Sequence, residues 1–384
     1  MINVNIGGTQ SDTLEVRKYN RIRRRLGILD FLLSLAGLLL LLLTGWSADL
    51  RDLAYYLAAQ GYVLAVFYYV LLLAILSKLV GIGPDYYSFR LEHRYQLSNQ
   101  KFGSWVWDEI KGWLVGVVLG AIVVELLYFI IRVNPRYWWV IAWAAFLGLL
   151  IFFAQIAPVV LFPIFYKFQP LRREELTDRL TRLSERAGTH VRGVYEWKLS
   201  EKSNKANAAL TGLGNTRRII LADTLLEHYT DDEIEAVLAH ELGHQVHKHI
   251  LKSIGVQTAI TFFGFWASAR VLHSIAVRRP QMFNGDYDFA NLPLLALLSI
   301  AISFLLIPAL NAWSRHNERQ ADRYAFQSLP SVEPFIRSMN KLAAQNLAER
   351  SPSHFVEFFF HSHPAIAKRV AAAEAWKQAI SNKQ

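Results

Sequence analysis

The sequence predicts an α-helical polytopic membrane protein joined to a mainly α soluble domain that carries a small β-sheet. Three observations predict it. The 384-residue chain is 53% hydrophobic with a positive mean hydropathy, a balance that soluble proteins of this size rarely show. Six segments approach the ~20 apolar residues needed to cross a bilayer. Trp46, Trp105, Trp107, Trp113, Trp138 and Trp139 stand near the ends of those segments, where interfacial aromatics gather.

The six expected spans are 27–45, 55–80, 113–133, 137–162, 251–276 and 292–313. The first contains "LLSLAGLLLLLLTGW" and follows "RKYNRIRRRLG". Its apolar run exceeds the roughly 7–15 residues of a signal-peptide core, so it reads as an uncleaved anchor. The fifth contains Lys252, Arg270 and His273; its basic residues lie towards the ends, where long side chains snorkel. Residues 1–26 hold six basic and two acidic residues, which puts the amino terminus in the cytoplasm by the positive-inside rule.

Composition excludes several function classes. The net charge is +10, but its densest cluster abuts a membrane span. That favours topology and anionic lipid over nucleic acid. The absence of cysteine rules out a disulfide framework and any thiolate ligand.

The expected organisation is a basic cytoplasmic segment at 1–26, spans at 27–162, a soluble block at 163–250, spans at 251–313 and a second soluble block at 314–384. The first block opens with "PLRREELTDRLTRLSERAG", where Leu176, Leu180, Leu183 and Ala187 recur at helical spacing between Pro170 and Gly188. "VRGVYEWKL" and "NAALTGLGNTRRIILAD" read as a small sheet with a hairpin at 212–215. Asp231 and Asp232 then open a helix.

That helix contains "VLAHELGHQVHKHI". His240 and His244 lie one turn apart and project from one face. With Glu241 they make H-E-x-x-H, the zinc helix of metalloproteases. Glu241 points about 100° away from His240, as a base would and a ligand would not. His247 shares the stripe but lies ~10.5 Å along an unbroken helix, too far for one ion with ~2 Å bonds. His249 falls on the opposite face of such a helix. Both are expected to be interfacial polar residues.

A catalytic zinc needs a third protein ligand and an open position. "NERQADRYA" offers Glu318, with Asp322 one turn on to fix a ligand imidazole. The same carboxylates would equally serve i,i+4 ion pairs with nearby arginines. Two spans separate "HELGH" from "NERQAD", which returns both to one side. Counting from a cytoplasmic amino terminus, that side is the cytoplasm.

These segments, with "YYSFRLEHRYQLSNQKFGSWVWDEIK", "APVVLFPIFYKFQPL", "SNKANAALTGLGNTRRIILADTLL" and "SHPAIAKR" in the same order, resemble the CAAX prenyl protease 1 family along nearly the whole chain. The resemblance implies spans that enclose a chamber, closed at the cytoplasmic end by a zincin-like domain. It implies one Zn2+ per chain on His240, His244 and Glu318, with Glu241 as base. It further implies that His363 stabilises the transition state, that Asn207 lies near the substrate and that Arg369 supports the site carboxylates. This would be a six-span member with Gln96 where the family usually has Gly. Glu125 and Gln155, costly in lipid, are expected to face the chamber.

The implied partners are a peptide substrate, prenylated or not, and the lipid bilayer. The membrane would be the inner membrane in a bacterium or the endoplasmic reticulum in a eukaryote. A heat-shock-type quality-control metalloprotease, acting on unprenylated membrane proteins, is the alternative that shares "HELGH" and "NERQAD".

Overall fold

The computed structural model describes residues 12–212, 214–278 and 283–382. The membrane half begins with α1 (Leu14–Thr44), a short α2 (Trp46–Leu57), α3 (Tyr62–Arg94), α4 (Phe102–Val133) and α5 (Trp138–Ile156). A π-helical stretch at Ala157–Leu161 carries α5 into α6 (Phe162–Phe165). The first soluble block comprises β1 (Phe168–Pro170), α7 (Glu174–Arg186), β2 (Val194–Trp197), β3 (Ala208–Thr211), β4 (Arg218–Ala222), α8 (Asp223–His228) and α9 (Asp231–Val246). The chain re-enters the membrane half with α10 (His249–Arg278) and α11 (Leu292–Ser328), then ends with α12 (Glu333–Gln345), α13 (His354–Phe360) and α14 (Ile366–Ser381).

Among the described residues six helical segments are long and apolar enough to cross a membrane, one for each expected span. The second span needs correction. It was expected over 55–80, but the chain turns at Ala59 and Gln60, with φ of 47° and 70°, and the spanning helix starts only at Tyr62. The preceding α2 is anchored instead. Its Arg51 pairs with buried Asp288 of the loop before α11, and that carboxylate also accepts the N–H groups of Asn284 and Ala290.

The spans close on themselves. Each packs against the next in the order α1, α3, α4, α5, α10, α11 and back to α1. No apolar span window is more than 28% buried, as expected of a single-walled ring in which each span packs chiefly on the spans either side of it. Where it is described, the basic segment is the first part of α1 and docks on the second soluble block. Asn20 Nδ2 donates to Leu347 O (2.7 Å) and Arg24 pairs with Glu349 (2.5 Å).

The sheet has the order β1-β2-β4-β3, with β2 and β4 parallel and the other pairs antiparallel. Leu176, Leu180 and Leu183 of α7 are buried in one core with Ile219 and Leu221 of β4 and Ile234, Leu238 and Leu242 of α9. The β3–β4 hairpin turns through Gly212, at φ 88°, and a 3-10 turn at Gly214–Thr216; Leu213 of the expected turn lies outside the described residues. Gln96, at φ 57°, occupies left-handed backbone that favours glycine. It initiates the segment whose Leu97 carbonyl accepts from Asn204 N (3.1 Å), tying α3 to the sheet block.

A single crossing, the apolar first half of α11, lies between the loop holding Asn284 and the end of α14. Single cysteines at exposed Asn284 and Ser381, in a chain with no native cysteine, should react with an impermeant maleimide from opposite membrane faces. Labelling of both in sealed cells would break the six-span arrangement.

Candidate active site

Helix α9 is fixed at its start by a capping box. Thr230 Oγ1 accepts from Glu233 N, and the Glu233 carboxylate accepts from Thr230 N, satisfying two end donors that the helix leaves unpaired. Glu233 is buried and also pairs with Lys341 (2.6 Å) and Arg337 (3.3 Å) of α12. One turn of α9 then presents His240 and His244. The partner helix α11 presents Glu318 and Asp322, both buried.

What brings the two helices together is Gly243 in "HELGH". A Cβ built there would lie 2.7 Å from Ala321 Cα and 2.9 Å from its carbonyl oxygen. Only a glycine lets α9 settle against the backbone of α11 at this level. At that spacing Glu318 reaches both imidazoles. His240 Nε2 lies 3.3 Å from His244 Nε2 and 3.3 Å from Glu318 Oε2, and His244 Nε2 lies 3.3 Å from Glu318 Oε1.

The outer ring nitrogens are held so that the inner ones keep their lone pairs. Asp322 Oδ1 is 2.9 Å from His240 Nδ1, and a carboxylate can only accept there. Asp322 is itself held by Arg369, through Nε at 2.9 Å and Nη2 at 2.6 Å. On the other histidine, His244 Nδ1 lies 3.0 Å from His249 Nδ1, while His249 Nε2 lies 2.9 Å from Gln320 Oε1. The amide oxygen fixes the proton on His249 Nε2. Its Nδ1 therefore accepts from His244, and His244 Nε2 is left bare.

This corrects the expectation for His249. An unbroken helix would carry it to the opposite face, but α9 stops at Val246 and Lys248 takes φ 55°. The break folds His249, 3% exposed, back beneath His244. No sequence signal announces it, because the residue at positive φ is a lysine. His247 lies outside the three-donor cluster, its ring stacked on His249 at 5.5 Å.

The other expected site residues surround this core unevenly. Glu241 is half-buried and makes no hydrogen bond among the described residues. His363 Nε2 reaches Glu318 Oε1 at 3.3 Å, with Ser362 Oγ 2.9 Å from its Nδ1. Its segment is clasped by two residues that sequence reasoning missed. Arg315 donates to the Glu357 and His361 carbonyls, and the buried Glu357 carboxylate accepts from Ala365 N and Lys368. Asn207 is exposed at the start of β3, an edge strand packed against α9. Glu125 lines a small apolar groove between α3 and α4, and Gln155 is exposed near the end of α5.

Residues 170–377 match the model of peptidase family M48, and residues 8–167 match the CAAX prenyl protease N-terminal model of five membrane helices. The chain belongs to peptidase family M48. It is 31% identical over 308 residues to an uncharacterized metalloprotease, YhfN, of Bacillus subtilis, covering 80% of this chain and 72% of that one. It is 28% identical over 331 residues to CAAX prenyl protease 1 of Saccharomyces cerevisiae, covering 79% and 70%. The crystal structure of S. mikatae Ste24p shares the fold, with a TM-score of 0.85 at 23% identity over 96% of this chain and 93% of that one.

As an M48 metallopeptidase the chain needs a metal, and its donor set fits one. Two imidazoles and a carboxylate converge within 4.8 Å. Tetrahedral ligands with ~2.0–2.1 Å bonds stand about 3.3 Å apart, the spacing found here. Buried Glu318 Oε2 faces His240 Nε2 at 3.3 Å and makes no well-formed hydrogen bond among the described residues. The metal-free site also attracts positive charge. Burial and Arg369 both oppose charging of His240, yet the neighbouring carboxylates of Asp322 and Glu318 prevail and raise its pKa to about 9.

Two substitutions test this geometry. Gly243→Ala should separate α9 from α11, cost about 1–3 kcal/mol of stability by overpacking and lower metal content on elemental analysis. His249→Ala should weaken metal affinity by about 10–100-fold, as loss of a residue orienting a ligand does, while His247→Ala should leave it unchanged in a chelator titration.

Proposed function

We propose that the chain is a zinc endopeptidase of the CAAX prenyl protease 1 type, cleaving peptides at the cytoplasmic face of its membrane. The observation that carries this reading is the convergence of His240, His244 and Glu318 with Glu241 beside them and outside the donor set. The match of residues 8–167 to the CAAX prenyl protease N-terminal model supports this type over the heat-shock type. The cytoplasmic placement is supported by the basic start of α1, which docks on the soluble block and by charge belongs inside.

His240, His244 and Glu318 would hold the zinc, which when bound supplies Lewis acidity to the scissile carbonyl and lowers the pKa of water. Glu241 takes the proton of the attacking water and delivers it to the leaving amine. His363 donates from Nε2 to the carbonyl oxygen as it gains negative charge. Asp322, oriented by Arg369, keeps the proton of His240 on Nδ1. The substrate backbone extends β3 along its open edge past Asn207, so affinity is mainly main-chain and sequence preference loose.

Incubation with a farnesylated CAAX peptide and its unprenylated twin tests the substrate class. The farnesylated peptide should be cleaved at least tenfold faster; equal rates would leave a metallopeptidase without prenyl preference. Glu241→Gln should keep about one zinc per chain and lose nearly all turnover, and zinc loss would make Glu241 a ligand. His363→Ala should lower kcat and kcat/KM together by about 10²–10³. A rise in KM alone would make it a binding residue.

A further inference from the structure

A cavity of about 1140 Å³ lies between α11, α13 and α14, beside the metal site. Its walls are strongly cationic: Arg315, Arg319, Arg323, Lys368 and Arg369 face only Asp322 and Glu357. Three of these cations are engaged. Arg369 is held by Asp322, Lys368 by Glu357, and Arg315 by two backbone carbonyls. Arg319 and Arg323 are exposed and have no ion pair among the described residues. They lie one turn apart on one face of α11.

The same face continues into the membrane. Leu305, Ala309, Ala312, His316, Arg319 and Arg323 follow one another at intervals of three or four residues and are all exposed. Leu305 is 77% exposed, so the apolar part of this stripe requires lipid. The stripe turns cationic just beyond the expected end of the span at 313. Arg319 stands about 9 Å of helix past that point and Arg323 about 15 Å, within side-chain reach of the headgroup layer.

Helix α13 marks the same level. Asn311 Nδ2 donates to Phe359 O at 2.7 Å, which lays α13 against the last turn of the span. From there Phe355, 65% exposed, and Phe358 project into the cavity mouth, as interfacial aromatics do.

We propose that this cavity binds an anionic phospholipid of the adjoining leaflet. Its phosphate sits between Arg319 and Arg323, and its chains descend along Ala309 and Leu305 past Phe355. Basic pockets at membrane boundaries recognise anionic headgroups in this way. The site is independent of the peptidase reading, because among the described residues neither arginine side chain has a hydrogen bond or ion pair to His240, His244 or Glu318.

The test uses the full-length, zinc-loaded chain, delipidated in neutral detergent. It is offered equimolar phosphatidylglycerol and phosphatidylcholine, and bound lipid is counted by native mass spectrometry. Phosphatidylglycerol should be retained at least fivefold in preference. The double variant Arg319→Ala/Arg323→Ala should bind it about 30-fold more weakly, at roughly fivefold for each interfacial cation. Arg319→Lys/Arg323→Lys should recover most of that affinity, separating lost charge from altered folding. A hundredfold excess of glycerol 3-phosphate should not displace the lipid. An unchanged preference in the alanine variant, equal retention of the two lipids, or full displacement by glycerol 3-phosphate would each overturn the proposal.

Discussion

The site depends on one steric fact, the contact of Gly243 with the backbone of Ala321. Metal chemistry here requires donors from two helices that belong to different parts of the chain. Helix α9 is built into the sheet domain through its capping box and buried leucine, isoleucine and alanine positions. Helix α11 rises out of the membrane ring. A side chain at position 243 would hold them apart, and a carboxylate has too short a reach to make up the difference. Every later feature, from the three 3.3 Å contacts to the orientation of His240 by Asp322, presupposes that approach.

Around it the two histidines are treated differently. His240 is oriented by an ionised pair, Asp322 with Arg369, both buried. His244 is oriented by neutral groups, His249 and Gln320. A charged partner makes an imidazole a stronger donor than a neutral one does. The two arms are thus oriented by partners of different charge although the motif presents them as equivalents.

Much of this was legible in the sequence. The spans obey a length threshold that leucine-rich runs either meet or miss, and six of them meet it. "HELGH" and "NERQAD" are local patterns whose i,i+4 geometry follows from helix dimensions alone. What could not be read depends on the backbone leaving the helix at ordinary residues. Ala59, Gln60 and Lys248 take positive φ although none of them is a glycine, and so the second span starts late and His249 returns to the site. The clasp of Arg315 on the carbonyls of residues 357 and 361 was hidden for another reason. It joins a side chain to backbone more than forty positions away, and backbone acceptors carry no sequence signature.

Helix α11 runs unbroken for 37 residues. Its first half is part of the bilayer wall and its last turns carry Glu318 and Asp322. The protease fold is therefore interrupted in chain order by two membrane crossings and shares a structural member with one of them. Cutting the polypeptide at the membrane surface would yield no enzyme fragment. The segment with the histidines would lack its carboxylate, and the segment with the carboxylate would lack the stem that aims it. The hydrolytic unit and its anchor are one mechanical part, so genetic shuffling cannot hand this chemistry to a soluble protein without inventing a new support for α11.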